Sequence, residues 1–244
     1  MLKGIDISHH NGNIDFSKLK NQVDFIIIKL GNIGDKQYFW QDLKFEEYYN
    51  ECKKYNIPCG VYVYCYANSP DSAKIGGEKV REYLKNKPLE LPIYIDIEDE
   101  ELSNETKKTI TNIIIAFNSE IEKDNKWAGI YCNKYWLNNK MNKLEVLDRY
   151  TNWIAHYPKT IDEDKYKDDY DIWQYTETAK IDGIDGNVDM NIMYRNLIAE
   201  IHNTTPVEEI IENEEYYNQC SPHLASLVDG LNEIGVNSSF CNRV

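Results

Sequence analysis

The sequence predicts an α/β barrel whose last strands have lost their intervening helices. Two observations carry this reading. Short apolar strands alternate with amphipathic helical stretches through the first half of the chain, a rhythm that implies parallel strands joined by crossover helices. After Asn133 the rhythm changes, and three further strands follow with less between them. The eight candidate strands close most economically into a barrel. The competitor is an open doubly wound sheet, which usually carries a Gly-rich phosphate loop after its first strand. Here that loop reads HHNGN and lacks the pattern.

The strands, in order, are GIDIS (4–8), DFIIIKLG (24–31), CGVYVYCY (59–66), PIYIDIE (92–98), AGIYCN (128–133), NWIAHY (152–157), YDIWQYT (170–176) and NVDMNIMY (187–194). Helical patterns fill roughly 41–56, 71–87 and 104–125, with a shorter one over 134–148. Pro58, Pro88 and Pro92 punctuate the helix exits, since proline cannot continue a helix. Thr204-Thr205-Pro206 reads as linker sequence. The expected organisation is a barrel domain over 1–200, a linker over 201–206, and a separate, charged, mainly helical piece over 207–244. That piece is too short for an unaided core, which suggests an incomplete or partner-dependent module.

Composition narrows the function. The formal net charge of the 244-residue chain is −14. Phosphate recognition needs clustered Lys and Arg, so nucleic acid is not an expected partner. A polymer held by shape and stacking stays open, because the 19 tyrosines offer flat amphipathic faces. No apolar run approaches the length of a membrane span, so membrane insertion is not expected. Met1-Leu2-Lys3 leads at once into the first strand, which reads as a cytoplasmic chain made without a signal peptide. The six cysteines form no CxxC pair and no zinc-spaced cluster, and most are expected to be reduced core or surface residues.

Parity within the strands points to chemistry. In PIYIDIE the isoleucines at 93, 95 and 97 share one face, and Tyr94, Asp96 and Glu98 share the other. The same alternation sets Asp6 against Ile5 and Ile7, Tyr62 and Tyr64 against Val61 and Val63, and Asp189 against Val188 and Met190. If the aliphatic faces pack on helices, Asp6, Asp96, Glu98 and Asp189 converge at the C-terminal end of the barrel, where parallel barrels place their active sites. Converging acids serve either a divalent cation or glycoside hydrolysis. The tyrosines, with Trp153, Trp173 and Tyr175, favour a sugar. Repulsion and partial burial should raise the pKa of one acid. Singly, each acid has a plainer reading: Asp96 and Glu98 also suit a solvated edge strand, and Asp6 and Asp189 also suit turn caps. His9-His10 looks like a metal pair, but adjacent strand residues point apart, so no metal and no cofactor is expected there. Lys29 either pairs with an inward acid or snorkels outward.

Six stretches resemble glycoside hydrolase family 25, the Chalaropsis-type lysozymes or N-acetylmuramidases: GIDISHHNG at 4–12, YIDIE at 94–98, GIYCNKYW at 129–136, WIAHY at 153–157, WQYT at 173–176 and GNVDMN at 186–191. They fall in family order. The resemblance implies an irregular TIM-like (β/α)5(β)3 barrel. It also implies cleavage of the β-1,4 bond between N-acetylmuramic acid and N-acetylglucosamine in peptidoglycan, with net retention assisted by the substrate's 2-acetamido group. It assigns the general acid/base to Glu98, its partner to Asp96, and the two further active-site acids to Asp6 and Asp189. Tyr62, Tyr64, Tyr131, Trp153, Tyr157 and Gln174 are expected to line the groove. His10 and the Gly31-Asn32 pair depart from the residues usual in the family. SLVDGLNEIGVNSSFCNR at 226–243 resembles the start of the cell-wall-binding module of clostridial phage endolysins. That likeness implies a wall polymer as partner and host lysis after holin-mediated release, with self-association of the tail as the plainer reading. The alternative function is a non-catalytic wall-binding protein on a hydrolase-like barrel.

Overall fold

The computed structural model describes residues 1–204. The expected module over 207–244, its wall ligand and its self-association lie outside the described residues.

Eight strands close into a barrel. They are β1 (Leu2–Ile7), β2 (Phe25–Gly34), β4 (Cys59–Tyr66), β5 (Ile93–Asp96), β6 (Ala128–Asn133), β7 (Thr151–Ala155), β8 (Ile172–Ala179) and β9 (Val188–Met193). A two-residue strand, β3 (Trp40–Gln41), pairs antiparallel with the end of β2. The order around the wall is β1-β9-β8-β7-β6-β5-β4-β2, and β1–β2 pairing closes it. All barrel pairings are parallel except those of β9, which runs antiparallel to both β8 and β1. The stretch 156–171 is long enough to cross over and bring β8 in parallel without a helix, whereas 180–187 is too short for a crossover, so β9 returns antiparallel.

The alternation sorts the two faces. Ile5, Ile7, Ile26, Ile28, Val61, Val63, Ile93, Ile95, Ile130 and Ile154 belong to the outer core, beneath α2 (Phe45–Tyr55), α3 (Pro70–Tyr83) and α4 (Lys107–Ile121). Phe25, Ile27, Tyr94, Trp153, Ile172 and Met193 fill the barrel interior, with Tyr62 and Tyr131 packed against them. Room for the Tyr94 ring comes from Gly129 on the next strand: a Cβ there would lie 2.5 Å from the ring. The helix ends are written locally. Ser69 caps α3 with Pro70 in its first turn, Thr106 caps α4, and Asn56 closes α2 in the left-handed conformation.

Several boundaries differ from the sequence expectation. The helix expected from residue 41 begins at Phe45, because Trp40 and Gln41 fold back onto Asn32 and Gly31. Gly31 permits this approach, since a Cβ there would lie 2.2 Å from the Trp40 carbonyl oxygen. The stretch 134–148 forms two short helices, α5 (Lys134–Asn139) and α6 (Lys143–Leu147). A final helix, α7 (Leu197–Thr204), runs through residues 201–204 of the expected linker. Strand β5 ends at Asp96, so Glu98 lies just beyond it. Trp173 and Tyr175 point outward: Trp173 is fully buried in the outer core and donates its indole N–H to the His156 carbonyl. Neither is a sugar platform. The four cysteines among the described residues, Cys52, Cys59, Cys65 and Cys132, are buried free thiols. No helix among the described residues is long and apolar enough to cross a membrane.

Candidate active site

The antiparallel pairing of β1 with β9 sets Asp6 directly opposite Asp189. Asp6 is buried, and its Oδ2 accepts from Gln174 Nε2 at 2.9 Å and Asn191 Nδ2 at 2.8 Å. Both amides are held in turn. Asn191 Oδ1 accepts the Trp153 indole N–H at 2.7 Å, and Gln174 Oε1 accepts the hydroxyls of Tyr131 and Tyr157. Burial pushes the Asp6 carboxyl up, while the Asn191 and Gln174 donors act to hold it down. Asp189 has no such donors. Burial, then the Asp6 charge, push it up to about 8. The two carboxyls are therefore a coupled pair, both pushed up, that retains a proton at pH values where ordinary carboxylates have lost theirs.

Asp96 is the last residue of β5, in register with Tyr64 on β4 and Tyr131 on β6. It is buried, and its Oδ1 has no hydrogen-bond partner among the described residues. Burial, then the nearby Glu98 charge, raise its carboxyl well above the usual range, and Lys29 pulls the other way. Lys29 points inward, its ammonium 5.9 Å from the Tyr62 ring centre and 5.3 Å from that of Tyr64. It turns inward toward these rings, while the ion pair with an inward acid that the sequence allowed is not formed among the described residues. Glu98 is half-buried, and its Oε1 accepts the Asn133 backbone N–H at 2.6 Å. Burial raises its carboxyl, and the Asn133 bonds partly offset this. Two adjacent acids, both pushed up, retain a proton at pH values where ordinary carboxylates have lost theirs.

A cleft of about 580 Å³ has Glu98, Tyr131, Tyr157 and Asp189 in its walls, while Asp6 and Asp96 lie outside its lining. The other expected groove residues divide by depth. Tyr64 donates to Asp99 Oδ2 at 3.2 Å. Tyr62 packs edge-on to Trp153. Trp153 itself is only 1% exposed and Gln174 1%, so neither presents a surface to a ligand; they hold the Asp6 carboxylate in place. Asn133 and Asn191 are absent from the sequence expectation. Asn191 shares the parity of Asp189, which was a readable signal; the bond from Asn133 to Glu98 spans 35 residues and left none.

The two histidines behave differently from the strand reading. Residues 9–11 form a 3-10 turn, and the rings of His9 and His10 lie together at 3.9 Å. His9 Nδ1 is 2.5 Å from Oδ2 of the buried Asp42. Among the described residues no group of three or more His, Cys, Asp or Glu is placed to hold a metal ion.

Protonated acids beside ionised ones, in a cleft walled by tyrosines at the C-terminal end of a barrel, can donate a proton to a bridging oxygen and support positive charge at the adjoining carbon. Fold and site together define a glycoside hydrolase. Residues 5–184 match glycosyl hydrolases family 25, and the chain belongs to that family. Among solved structures, the modular autolysin LytC from Streptococcus pneumoniae, in complex with a synthetic peptidoglycan ligand, is 29% identical with a TM-score of 0.67. The match covers 79% of this chain and 46% of the autolysin, so this chain spans about half of that protein's length. The bacterial lysozyme from Streptomyces coelicolor is 22% identical (TM-score 0.68; 84% of this chain, 98% of that one). The spore cortex lytic enzyme SleM of Clostridium perfringens is 22% identical (TM-score 0.66; 78% and 66%). The last two are likenesses of fold. No curated protein sequence matches the chain.

Proposed function

We propose that this chain is a peptidoglycan hydrolase, an N-acetylmuramidase that cleaves the β-1,4 bond between N-acetylmuramic acid and N-acetylglucosamine with net retention. The observation that carries this reading is the Asp96–Glu98 pair: two acids on one side of β5 and its extension, both pushed up by burial, beside a tyrosine-walled cleft. Glu98, nearer solvent, gives its proton to the glycosidic oxygen as the bond to the anomeric carbon breaks. The 2-acetamido carbonyl oxygen closes on that carbon, forming an oxazolinium ring. Asp96, buried one step deeper on the same side, steadies the positive charge through its carboxylate. Water then attacks the anomeric carbon, Glu98 takes its proton, and the ring reopens with configuration retained. A covalent route through Asp96 is less suited, because side chains on the same side of one chain segment sit beside each other and do not flank the sugar. The lytic setting, release through a holin at the end of a phage cycle, rests on the likeness of residues 226–243 to endolysin modules.

The test is clearing of purified Gram-positive walls by the wild type beside Glu98→Gln. The swap keeps shape and removes the transferable proton, so a loss on the order of a hundredfold or more is expected. New reducing ends should appear with the wild type alone, and NMR of the first-formed anomer should show retention. Equal clearing by both proteins would place the acid elsewhere. Walls bound but not cleared by either would favour a non-catalytic binding barrel.

A further inference from the structure

One wall of the cleft carries a charge pattern that the cleavage chemistry does not use. Lys134 and His156 line the cleft, and Lys165 stands nearby. All three gather around one aromatic ring. The ammonium of Lys134 lies 5.1 Å from the centre of the Tyr166 ring and that of Lys165 lies 5.5 Å from it. The His156 ring meets Tyr166 edge-on at 5.6 Å. Tyr166 is buried, clamped between Tyr170 and Trp173, so the ring is a fixed support.

The grouping of these bases is the informative feature. The chain has 41 acids against 27 lysines and arginines. Lys3, Lys18, Lys44, Lys53, Lys54, Lys79, Lys87 and Lys123 each meet a carboxylate, whereas Lys134 and Lys165 crowd around a single ring. Among the described residues neither Lys134, Lys165 nor His156 forms an ion pair. They repel one another instead: burial first, then the charges of Lys134 and Lys165, hold the His156 imidazole below its ordinary pKa. Two ammonium groups kept together at a cleft wall, without internal compensation, suit an anion supplied from outside, and the imidazole beside them offers a hydrogen-bond donor. The cleft also carries Glu98, Glu177 and Asp189, so an anionic substituent is received only beside the basic groups.

We propose that Lys134, His156 and Lys165 form an anion-receiving lip of the cleft that takes a carboxylate of the acidic peptide stem carried on the lactyl group of the substrate's muramic acid. The inference rests on the peptidoglycan reading above and adds to it: the enzyme distinguishes stem-bearing glycan from bare glycan. The ring of Tyr166 holds the two ammonium groups in position by cation–π attraction while leaving their hydrogen-bond donors free.

The test compares the full chain with Lys134→Glu and Lys134→Arg on soluble glycan strands, with peptide stems intact or removed by an amidase. With stems present, Lys134→Glu is expected to lower kcat/KM about tenfold, the scale of one lost charge-assisted contact. With stems removed it should match the wild type within about twofold, and Lys134→Arg should stay near wild type on both. Raising salt should narrow the difference. An equal loss on both substrates would overturn the proposal by making Lys134 a general structural residue, and no loss on either would overturn it outright. A third arm uses walls stripped of phosphate polymers: if the Lys134→Glu defect disappears there, the anion is a phosphate and the stem assignment fails. Wild type inactive on every substrate would sink the peptidoglycan reading itself, whereas an active wild type with an indifferent Lys134→Glu would sink the lip alone.

Discussion

Four carboxylates meet at the open end of the barrel in two pairs, and the pairs are built in opposite ways. Asp6 and Asp189 come from antiparallel neighbours and face each other across a register. Asp6 is surrounded by donors, two amides that are themselves pinned by Trp153, Tyr131 and Tyr157. Asp96 and Glu98 come from one chain segment. Among the described residues Asp96 has a buried oxygen with no partner, and Glu98 has the N–H of Asn133. The first pair stores one proton in a satisfied network. The second is left short of donors, so a single proton is held between its two acids by burial and repulsion and can move when a substrate arrives. On the proposed mechanism, stability is concentrated in one pair and reactivity in the other, a division expected where a site must be both rigid and primed.

The largest effect that would break this contrast is at Asp96. Asp96→Asn should lower turnover on the order of a hundredfold, by removing the anionic support for the oxazolinium. It should also raise the melting temperature, because it removes one of two mutually repelling buried acids. A fall in melting temperature would mean the Asp96 charge is already compensated and the two pairs are alike. At Asp6 the prediction has the opposite sign for stability. Asp6→Ala leaves the buried amide donors of Gln174 and Asn191 without their acceptor, and a destabilisation of roughly 1–3 kcal/mol in denaturant melts is expected.

The stored proton sets a pH dependence. Asp189 is raised from 3.8 to about 8, so between those values the folded state binds more protons than the unfolded chain. Its contribution to stability is complete below the unfolded value and is lost as pH rises through about 8. Melting temperature followed from pH 4 to 9 should therefore decline, and Asp189→Asn should flatten part of that decline. The slope that remains belongs to Asp96 and Glu98, which shift in the same direction. An unchanged profile in Asp189→Asn would mean the proton is stored elsewhere. Cleavage itself should fail on the alkaline side as Glu98 loses its proton, at a pH above the ordinary glutamate value of 4.5.

The smallest change sharpens the account of the satisfied pair. Tyr157→Phe removes one of the two hydroxyls that reach Gln174 Oε1 and leaves Tyr131 in place. A stability change under about 1 kcal/mol is expected, with a larger effect on KM than on kcat, since the ring edge is 43% exposed at the cleft. A collapse of kcat would show that Gln174 needs both donors to hold Asp6.

Much of the barrel was legible because its information is local. Each strand alternates aliphatic and polar or aromatic residues, and that alternation alone separates Ile95 from Asp96 and Val63 from Tyr64. Trp153 and Trp173 look equivalent as sugar-binding candidates, yet only the first faces inward, and counting along each strand from Ile172 and Gln174 would have told them apart. The hairpin at Trp40 was less accessible. Gly31 permits it, but a glycine in a strand announces a close approach without naming what approaches. Asn133 was invisible, because its role exists only where β5 and β6 lie side by side.

By itself, then, the sequence determined which residues share a face, where helices are capped, and that four acids belong to the open end of a barrel, because period and capping are properties of a few consecutive residues. Only the tertiary structure decided which acids keep their protons. A carboxyl's pKa is set by burial and by neighbours on other strands: Asn191 for Asp6, Lys29 for Asp96, Asn133 for Glu98. Those neighbours meet when the barrel closes.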